Sequence, residues 1–488
     1  MNHEYVVSWY LAGYTFGERN RTVLLGEEGF DLGEIAAQGS GVGEETPAEY
    51  FTTSVLNGTY CAVTGYTGED TDVVIPAEIN GYTVQSVADS AFKGKAITSV
   101  ALPQTVETVG SYAFANCTNL TKFIGGAKQT SVGARAFEGC TSLTSVSLSD
   151  TVASIGSYAF NGCTALEEIV LGSGLRTIGD RAFIGCTALA DVSISEGLTT
   201  IQSYAFENCT SLTVIELPDS ITQLASYVFQ GCTNLTAANH PKSWTTVLSQ
   251  YNNTSYSAGD SRYQSPFYGS ALAEIAVPEG VTSIPAHALR GVSALRKVTL
   301  ADSVQSIGAY AIDTTGVTEI DLGGVKTLGD YALYGNKSLK NITLPDTLET
   351  IGAYAFANNA GLTEIAVPEG VVSMGSYAFA ECSGLTKATL PDSLTVIPER
   401  AFIGCAGLAD VTLGGNVKTI QSYAFEGCTS LTEMHLPDSI EQMGSNVFQS
   451  CTSLTAANWP KGWTTVLNQY NNTSYSAGDS RYQSPFYG

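Results

Sequence analysis

No apolar run in this chain of 488 residues is long enough to cross a bilayer as a helix, which argues against direct membrane insertion. Basic residues are scarce as well. With 22 Lys and Arg against 46 Asp and Glu, the formal charge of -24 repels phosphate backbones and anionic membranes and keeps a long chain soluble, so nucleic acid is not an expected partner. Histidine is limited to His3, His240, His287 and His435, scattered along the chain, and there is no Gly-x-Ser-x-Gly elbow, Walker loop or dinucleotide fingerprint. The eleven cysteines contain no Cys-x-x-Cys pair, and nothing matches an EF-hand spacing. A non-enzymatic protein without cofactor or metal is the expectation. Pro-rich, Gln-rich and single-sign charge tracts are absent too, and 44% hydrophobic with 10% aromatic residues suffices for a core, so nearly all of the chain should fold.

The first residues, MNHEYVVSWYLAGYTFGERN, carry a short apolar stretch from Tyr5 to Ala12 without a basic leader, a poor signal peptide. Residues 1–50 are otherwise unassigned, with an acidic, Gly-rich linker over 26–50. Within 51–92, TYCAVTGYTGEDTDVVI from Thr59 to Ile75 has two β-rich runs around an acidic turn and is expected to form a capping hairpin.

What fills the rest is a repeat. Leu143 to Cys163, LTSVSLSDTVASIGSYAFNGC, and Leu166 to Cys186, LEEIVLGSGLRTIGDRAFIGC, share every apolar position at a step of 23 residues. The unit is marked by Phe92, Phe114, Phe137, Phe160, Phe183, Phe206, Phe229, Phe267, Leu289, Ile312, Leu333, Phe356, Phe379, Phe402, Phe425, Phe448 and Phe486, each a core position. Val146 and Leu148 alternate with Ser145 and Ser147, the pattern of a half-buried strand. One coil cannot bury both of its faces. Coils stacked at ~4.7–4.9 Å share a continuous core, and a 23-residue unit falls in the leucine-rich range with no room for a helical back. The fold expected is a β-rich solenoid of about 16 such coils with short helical turns.

Exceptions to the period organise the array. Phe92 to Phe114 and Phe267 to Leu289 are 22-residue steps that look like block starts, and Phe229 to Phe267 and Phe448 to Phe486 are 38-residue steps. Those two carry nearly the same insertion, NHPKSWTTVLSQYNNTSYSAGDSRYQSPFYG at 239–269 and its copy at 458–488. Two tandem blocks, 93–269 and 270–488, follow. The stop at Gly488, where the first block passes into another coil, implies an unusual cap or a longer molecule.

The pattern LPDS followed by IxxIGxYAFxGCTxL resembles the BspA-like, or Treponema pallidum-type, leucine-rich repeats of bacterial surface proteins over about residues 85–488. The segment SPFYGSALAEIAVPEGVTSIP is also similar to the punctuation between coil blocks in such proteins of gut bacteria. The resemblance implies a curved solenoid on a cell surface, with adhesion to host proteins or other cells as its role.

Four constellations could carry function. A cysteine ladder at 23-residue steps, from Cys117 to Cys232 and from Cys382 to Cys451, reads as a column of buried thiols, because Cβ atoms ~4.8 Å apart exceed the ~3.8 Å of a disulfide. Acidic turns at Asp150, Glu196, Asp219, Glu279, Asp302, Asp346, Glu369, Asp392 and Asp438 read as turn formers, with calcium binding as the alternative. A stripe before each Ala-Phe corner carries Tyr112, Tyr158, Tyr204, Tyr227, Tyr310, Tyr331, Tyr354, Tyr377 and Tyr423, and Arg135, Arg181 and Arg400. It suits a contact surface or a stack that covers the backbone corner. The insertions place Tyr251, Asn252, Asn253, Tyr256, Arg262 and Tyr263, and in the copy Tyr470, Asn471, Asn472, Tyr475, Arg481 and Tyr482, in a Tyr/Asn/Ser-rich loop composed like a paratope, or a tether held by Trp244 and Trp463.

The function expected is extracellular or cell-surface adhesion, binding protein or glycan. The alternative is a virion or injection-particle fibre that reads a host receptor, with residues 1–50 as the attachment.

Overall fold

The computed structural model describes residues 44–471 and 483–486, together with strand backbone at Glu4–Ser8, Tyr14–Thr15, Asn20–Leu24 and Gln38–Gly39. Most of the acidic linker expected over 26–50 lies outside the described residues. The fold is a β-solenoid of about 18 turns of ~23 residues with almost no helix. Two compact units divide it, residues 1–195 and 196–488.

In residues 1–195 each coil contributes two short strands. The first strands, Asp72–Val74, Ser99–Ala101, Lys122–Ile124 and Ser145–Ser147, pair in parallel, the last three at the 23-residue step. The second strands, Tyr82–Val87, Thr108–Val109, Ser131–Val132, Ser154–Ile155 and Thr177–Ile178, do the same. A third ladder runs through the Ala-Phe corner, where Phe114 N–H donates to Ala136 O and Phe137 N–H to Ala159 O, both at 2.7 Å. The helical turns expected there are hydrogen-bonded turns, with Ala115 N–H donating to Tyr112 O and Cys117 N–H to Phe114 O.

The capping hairpin forms from different strands than the sequence suggests. Tyr60–Tyr66 pairs antiparallel with Phe51–Val55, not with the run after the acidic turn, and parallel with Tyr82–Val87. Asp72–Val74 instead joins Ser99–Ala101 in the first-strand ladder, because Val73 and Ile75 bury their side chains only in line with Val100. Phe51 and Tyr66 then close the end of the core, with ring centroids 6.4 and 5.7 Å from Phe92.

The core of each unit is a pile of identical groups. Phe92, Phe114, Phe137, Phe160 and Phe183 stack at 5.1–5.3 Å, nearly parallel. In residues 196–488 Phe206, Phe229 and Phe267 stack in the same way, and so do Phe356, Phe379, Phe402, Phe425, Phe448 and Phe486, although Phe486, expected in the core, is 38% exposed. Between these runs Leu289, Ile312 and Leu333 are buried in the same position.

All eleven cysteines are buried and none is in a disulfide. Cys140 and Cys163 donate their thiols to Phe114 O at 3.1 Å and Phe137 O at 3.2 Å, carbonyls of the preceding coil, so each thiol closes one inter-coil hydrogen bond. Burial pushes the Cys186 thiol up to about 12, which disfavours the reactive thiolate. Where the ladder lapses, Asn336 takes the place and donates to Ile312 O at 2.8 Å, and Asn359 donates to Leu333 O at 3.0 Å.

The corner has one sterically costly feature. Every Tyr and Arg of the stripe has a left-handed backbone, with φ between 54° and 66°. That region is crowded for any residue with a Cβ, at roughly 1–2 kcal/mol each, and glycine would be its natural occupant. Stacking offsets the cost, since an aromatic pair contributes about 0.5–1.5 kcal/mol beyond its burial. Tyr310, Tyr331, Tyr354 and Tyr377 pile at 4.4–4.5 Å. In residues 1–195 the guanidinium of Arg135 lies 4.4 Å from the ring of Tyr158.

Two substitutions test this arrangement. Phe160→Ala should cost roughly 3–5 kcal/mol, as for a buried aromatic, and a urea melt matching the parent would show that the corner ring is not core. Tyr354→Ala keeps the left-handed strain and loses two ring contacts, whereas Tyr354→Gly loses the contacts and relieves the strain. The glycine variant should be the more stable of the two by about 1 kcal/mol. The opposite order in the same melts would remove the strain argument.

Candidate functional site

The stripe and the insertions meet in residues 196–488. The first insertion leaves the array after strand Thr246–Leu248, which pairs with Gln223–Ala225. Its start is built into the coil. Asn239 binds Leu217 through its amide, accepting from the N–H and donating to the carbonyl at 2.7 Å each, and Asn458 repeats both contacts with Leu436. Trp244 is fully buried, donates Nε1–H to Thr246 O at 3.0 Å and packs on His240. Trp463 makes the equivalent bond to Thr465 O at 2.9 Å, with Trp459 packed on it at 4.3 Å.

Beyond that anchor the loop reaches past the adjacent coil. Asn252, with φ 59°, accepts the Ser203 N–H at 2.6 Å, and the Ser203 hydroxyl donates to Ser249 O at 3.1 Å. The copy is the same: Asn471 accepts the Ser422 N–H at 2.5 Å, and the Ser422 hydroxyl donates to Asn468 O at 3.1 Å. Asn471 also donates to Glu399 Oε2 at 3.0 Å. These bonds skip a coil, whereas ordinary solenoid contacts join nearest neighbours only.

The returning limb is held from the other side. Tyr263 is buried and lies face to face with His287 at 4.8 Å, and His287 stacks on Tyr310 at 5.4 Å, so the insertion supplies a ring to the stripe. Arg290 donates to Asp260 O at 3.2 Å and Tyr263 O at 3.0 Å, and pairs with the buried Asp313 at 3.1 Å. Asp260 also takes Arg262 Nε–H at 2.7 Å, and the guanidinium of Arg262 lies 3.5 Å from the centre of the Tyr256 ring. Hydrogen bonds from Arg262 hold the Asp260 carboxyl down at about 2.

The candidate residues therefore divide by geometry. Asn252, Asn471 and Tyr263 direct their binding capacity inward, and Tyr256 and Arg262 spend theirs largely on each other. Tyr158, Tyr204, Tyr354 and Tyr377 are half-buried, with faces occupied by stripe neighbours and only their edges open. Tyr251 stands out at 60% exposed, with Asn253 partly open beside it, and Tyr470 matches it at 59%. Asn472, Tyr475, Arg481 and Tyr482 lie outside the described residues. The Asp392 carboxylate accepts the Gly415 N–H at 2.6 Å and that of Asp219 accepts the Lys242 N–H at 3.1 Å, bonds that serve the turns. Among the described residues no group of three or more His, Cys, Asp or Glu is placed to hold a metal ion.

Sequence reasoning missed the supports: Asn239, Ser203, His287 and the Arg290–Asp313 pair. One signal was available. Gln202-Ser203 and Gln421-Ser422 replace the usual Gly-Ser or Gly-Ala two coils before each insertion.

Burial lowers both His240 and His287 to about 4, with Arg290 adding to the effect at His287. Both are neutral in the fold, so their contribution to stability is complete above pH ~6.5, the unfolded value, and is lost as pH falls towards 4. For each buried ring the loss reaches about 3 kcal/mol. His287→Tyr, which extends the stripe with its commonest residue, should flatten the decline in Tm between pH 6.5 and 4. An unchanged slope would place the pH dependence elsewhere.

The model of the BspA type leucine rich repeat region matches residues 85–212, 153–257, 261–386 and 349–476, most of the chain. None of the curated proteins matches it. Among solved structures, a leucine-rich repeat protein from Bacteroides ovatus is 25% identical, with 86% of this chain and 89% of that one covered and a TM-score of 0.40. A leucine rich cell surface protein from Faecalibacterium prausnitzii is 26% identical over 75% and 93%, with a TM-score of 0.37. The T. pallidum leucine rich repeat protein is 31% identical over 40% and 81%, with a TM-score of 0.32. Its repeat, its parallel strand ladders and this match together make the chain a member of the BspA-type leucine-rich-repeat family.

Proposed function

We propose that the protein is a non-catalytic recognition scaffold displayed at a bacterial cell surface, binding protein or glycan through its two insertions. The observation that carries this reading is Tyr251, 60% exposed between Ser249 and Asn252, both of which are bonded to Ser203, with Tyr470 59% exposed between Asn468 and Asn471, both bonded to Ser422. Trp459, 71% exposed and packed on Trp463, is a further large aromatic open on the second insertion. A loop fixed before it meets a ligand loses little conformational entropy on binding, which favours recognition. Family membership supports the coarser part, since leucine-rich-repeat proteins are typically non-enzymatic binding scaffolds and one relative is named as a cell surface protein.

Arrays of glycans and of extracellular proteins test this. The intact chain should bind at least one member, and the double variant Tyr251→Ala/Tyr470→Ala should lose at least tenfold in affinity while melting like the parent, as expected when exposed hot-spot aromatics are removed. Absence of binding on both arrays, or undiminished binding by the double variant, would overturn it.

A further inference from the structure

We propose that Asn57 is a site of spontaneous covalent modification, where the fold makes the asparagine side chain an electrophile for the backbone nitrogen of Gly58 and so converts it to aspartate and isoaspartate.

Asn57, Gly58 and Thr59 are the exposed tip of the capping hairpin, whose loop is closed by Leu56 N–H donating to Tyr60 O at 2.9 Å. The Asn57 carboxamide folds back over this tip. Its Oδ1 accepts two backbone N–H groups, from Thr59 at 3.1 Å and Tyr60 at 3.2 Å. A bond to the residue two positions on closes a turn through the side chain, and the amide it encloses is that of Gly58. Paired N–H donors on a carbonyl oxygen also stabilise the oxyanion that forms when its carbon is attacked. Gly58 supplies the attacking nitrogen with no Cβ to crowd it, and no acceptor among the described residues takes its N–H.

The chemistry needs only water. The Gly58 nitrogen bonds to Cγ of Asn57 and gives up its proton, the Cγ–Nδ2 bond breaks, and the side-chain amide leaves as ammonia with that proton. Water then opens the succinimide at either carbonyl, giving aspartate in the ordinary chain or isoaspartate with the chain rerouted through Cγ. Both products put a carboxylate into residues 51–67, a stretch with no charged side chain. Isoaspartate also lengthens the backbone of the closed loop.

The other two Asn-Gly pairs of the chain lack this arrangement. Asn80 stands at φ 53° in a two-residue turn pinned by the pairing of Ile79 with Tyr82, and no N–H among the described residues is bonded to its side chain. Asn161 has Nδ2 committed to Glu138 Oε1 at 2.9 Å, and Gly162 N–H donates to Ile184 O at 2.9 Å. Its amide and its nucleophile are both held in bonds between coils.

Peptide mapping by mass spectrometry of the full chain aged in mildly alkaline buffer, with isoaspartate detected by enzymatic methylation, tests the assignment. In the folded chain Asn57 should be converted at least about tenfold faster than Asn80 or Asn161, a smaller effect than oxyanion donors have in an enclosed active site. Unfolding in guanidinium removes the two donors, so Asn57 should slow while Asn80 and Asn161 accelerate. Isoaspartate should appear with aspartate, because only the imide yields it. Gly58→Ala adds a Cβ that meets nothing within 4 Å, so it should leave the melting temperature unchanged and slow conversion at least about tenfold by crowding the attack. An Asn57 that persists, conversion led by another Asn-Gly pair, faster conversion of Asn57 after unfolding, aspartate without isoaspartate, or an unchanged rate in Gly58→Ala would overturn the inference.

Discussion

Everything in this molecule depends on one constraint, that a coil of 23 residues has no interior of its own and must take its neighbour as its core. The parallel ladders satisfy its backbone, and the phenylalanine pile satisfies its side chains. Because adjacent coils present the same residue at the same point, the contacts are like on like: Phe on Phe, Cys thiol beside Cys thiol, Tyr on Tyr. Nearest-neighbour coupling of this kind lets coils be added or removed with little penalty, which is how a block can be duplicated and its coil number vary.

The corner shows how far that coupling reaches into local conformation. Taken singly, a tyrosine at φ near 57° is a poor choice. It becomes acceptable in a column, where each ring covers the next and the left-handed turn aims the corner N–H groups at the following coil. Conformational cost and stacking gain are of similar size, so the stripe is first a structural device. Its open edges are what remain for contact with anything else.

The insertions break the nearest-neighbour rule. Asn252 bonds across an intervening coil to Ser203, while Arg290 grips the returning limb from the coil that follows. Such bracing spreads stability over several coils and turns a long polar loop into a rigid projection. The same lock recurs at Asn471 and Ser422.

The sequence by itself determined the coil, because its period and alternation allow only one way of burying Leu143, Leu148 and Phe160, and the cysteine ladder follows from the same spacing. It also located both insertions. Strand pairing at the N-terminal end was decided by tertiary structure, since the alternating runs after Thr59 suit either a local hairpin or the coil ladder, and only the position of Val100 chooses between them. The tyrosine stripe was likewise undecided in sequence, because a column of Tyr reads the same whether its faces are stacked or free. Which insertion residues point outward was decided by partners far along the chain, Ser203, His287 and Arg290, brought to the loop by stacking alone.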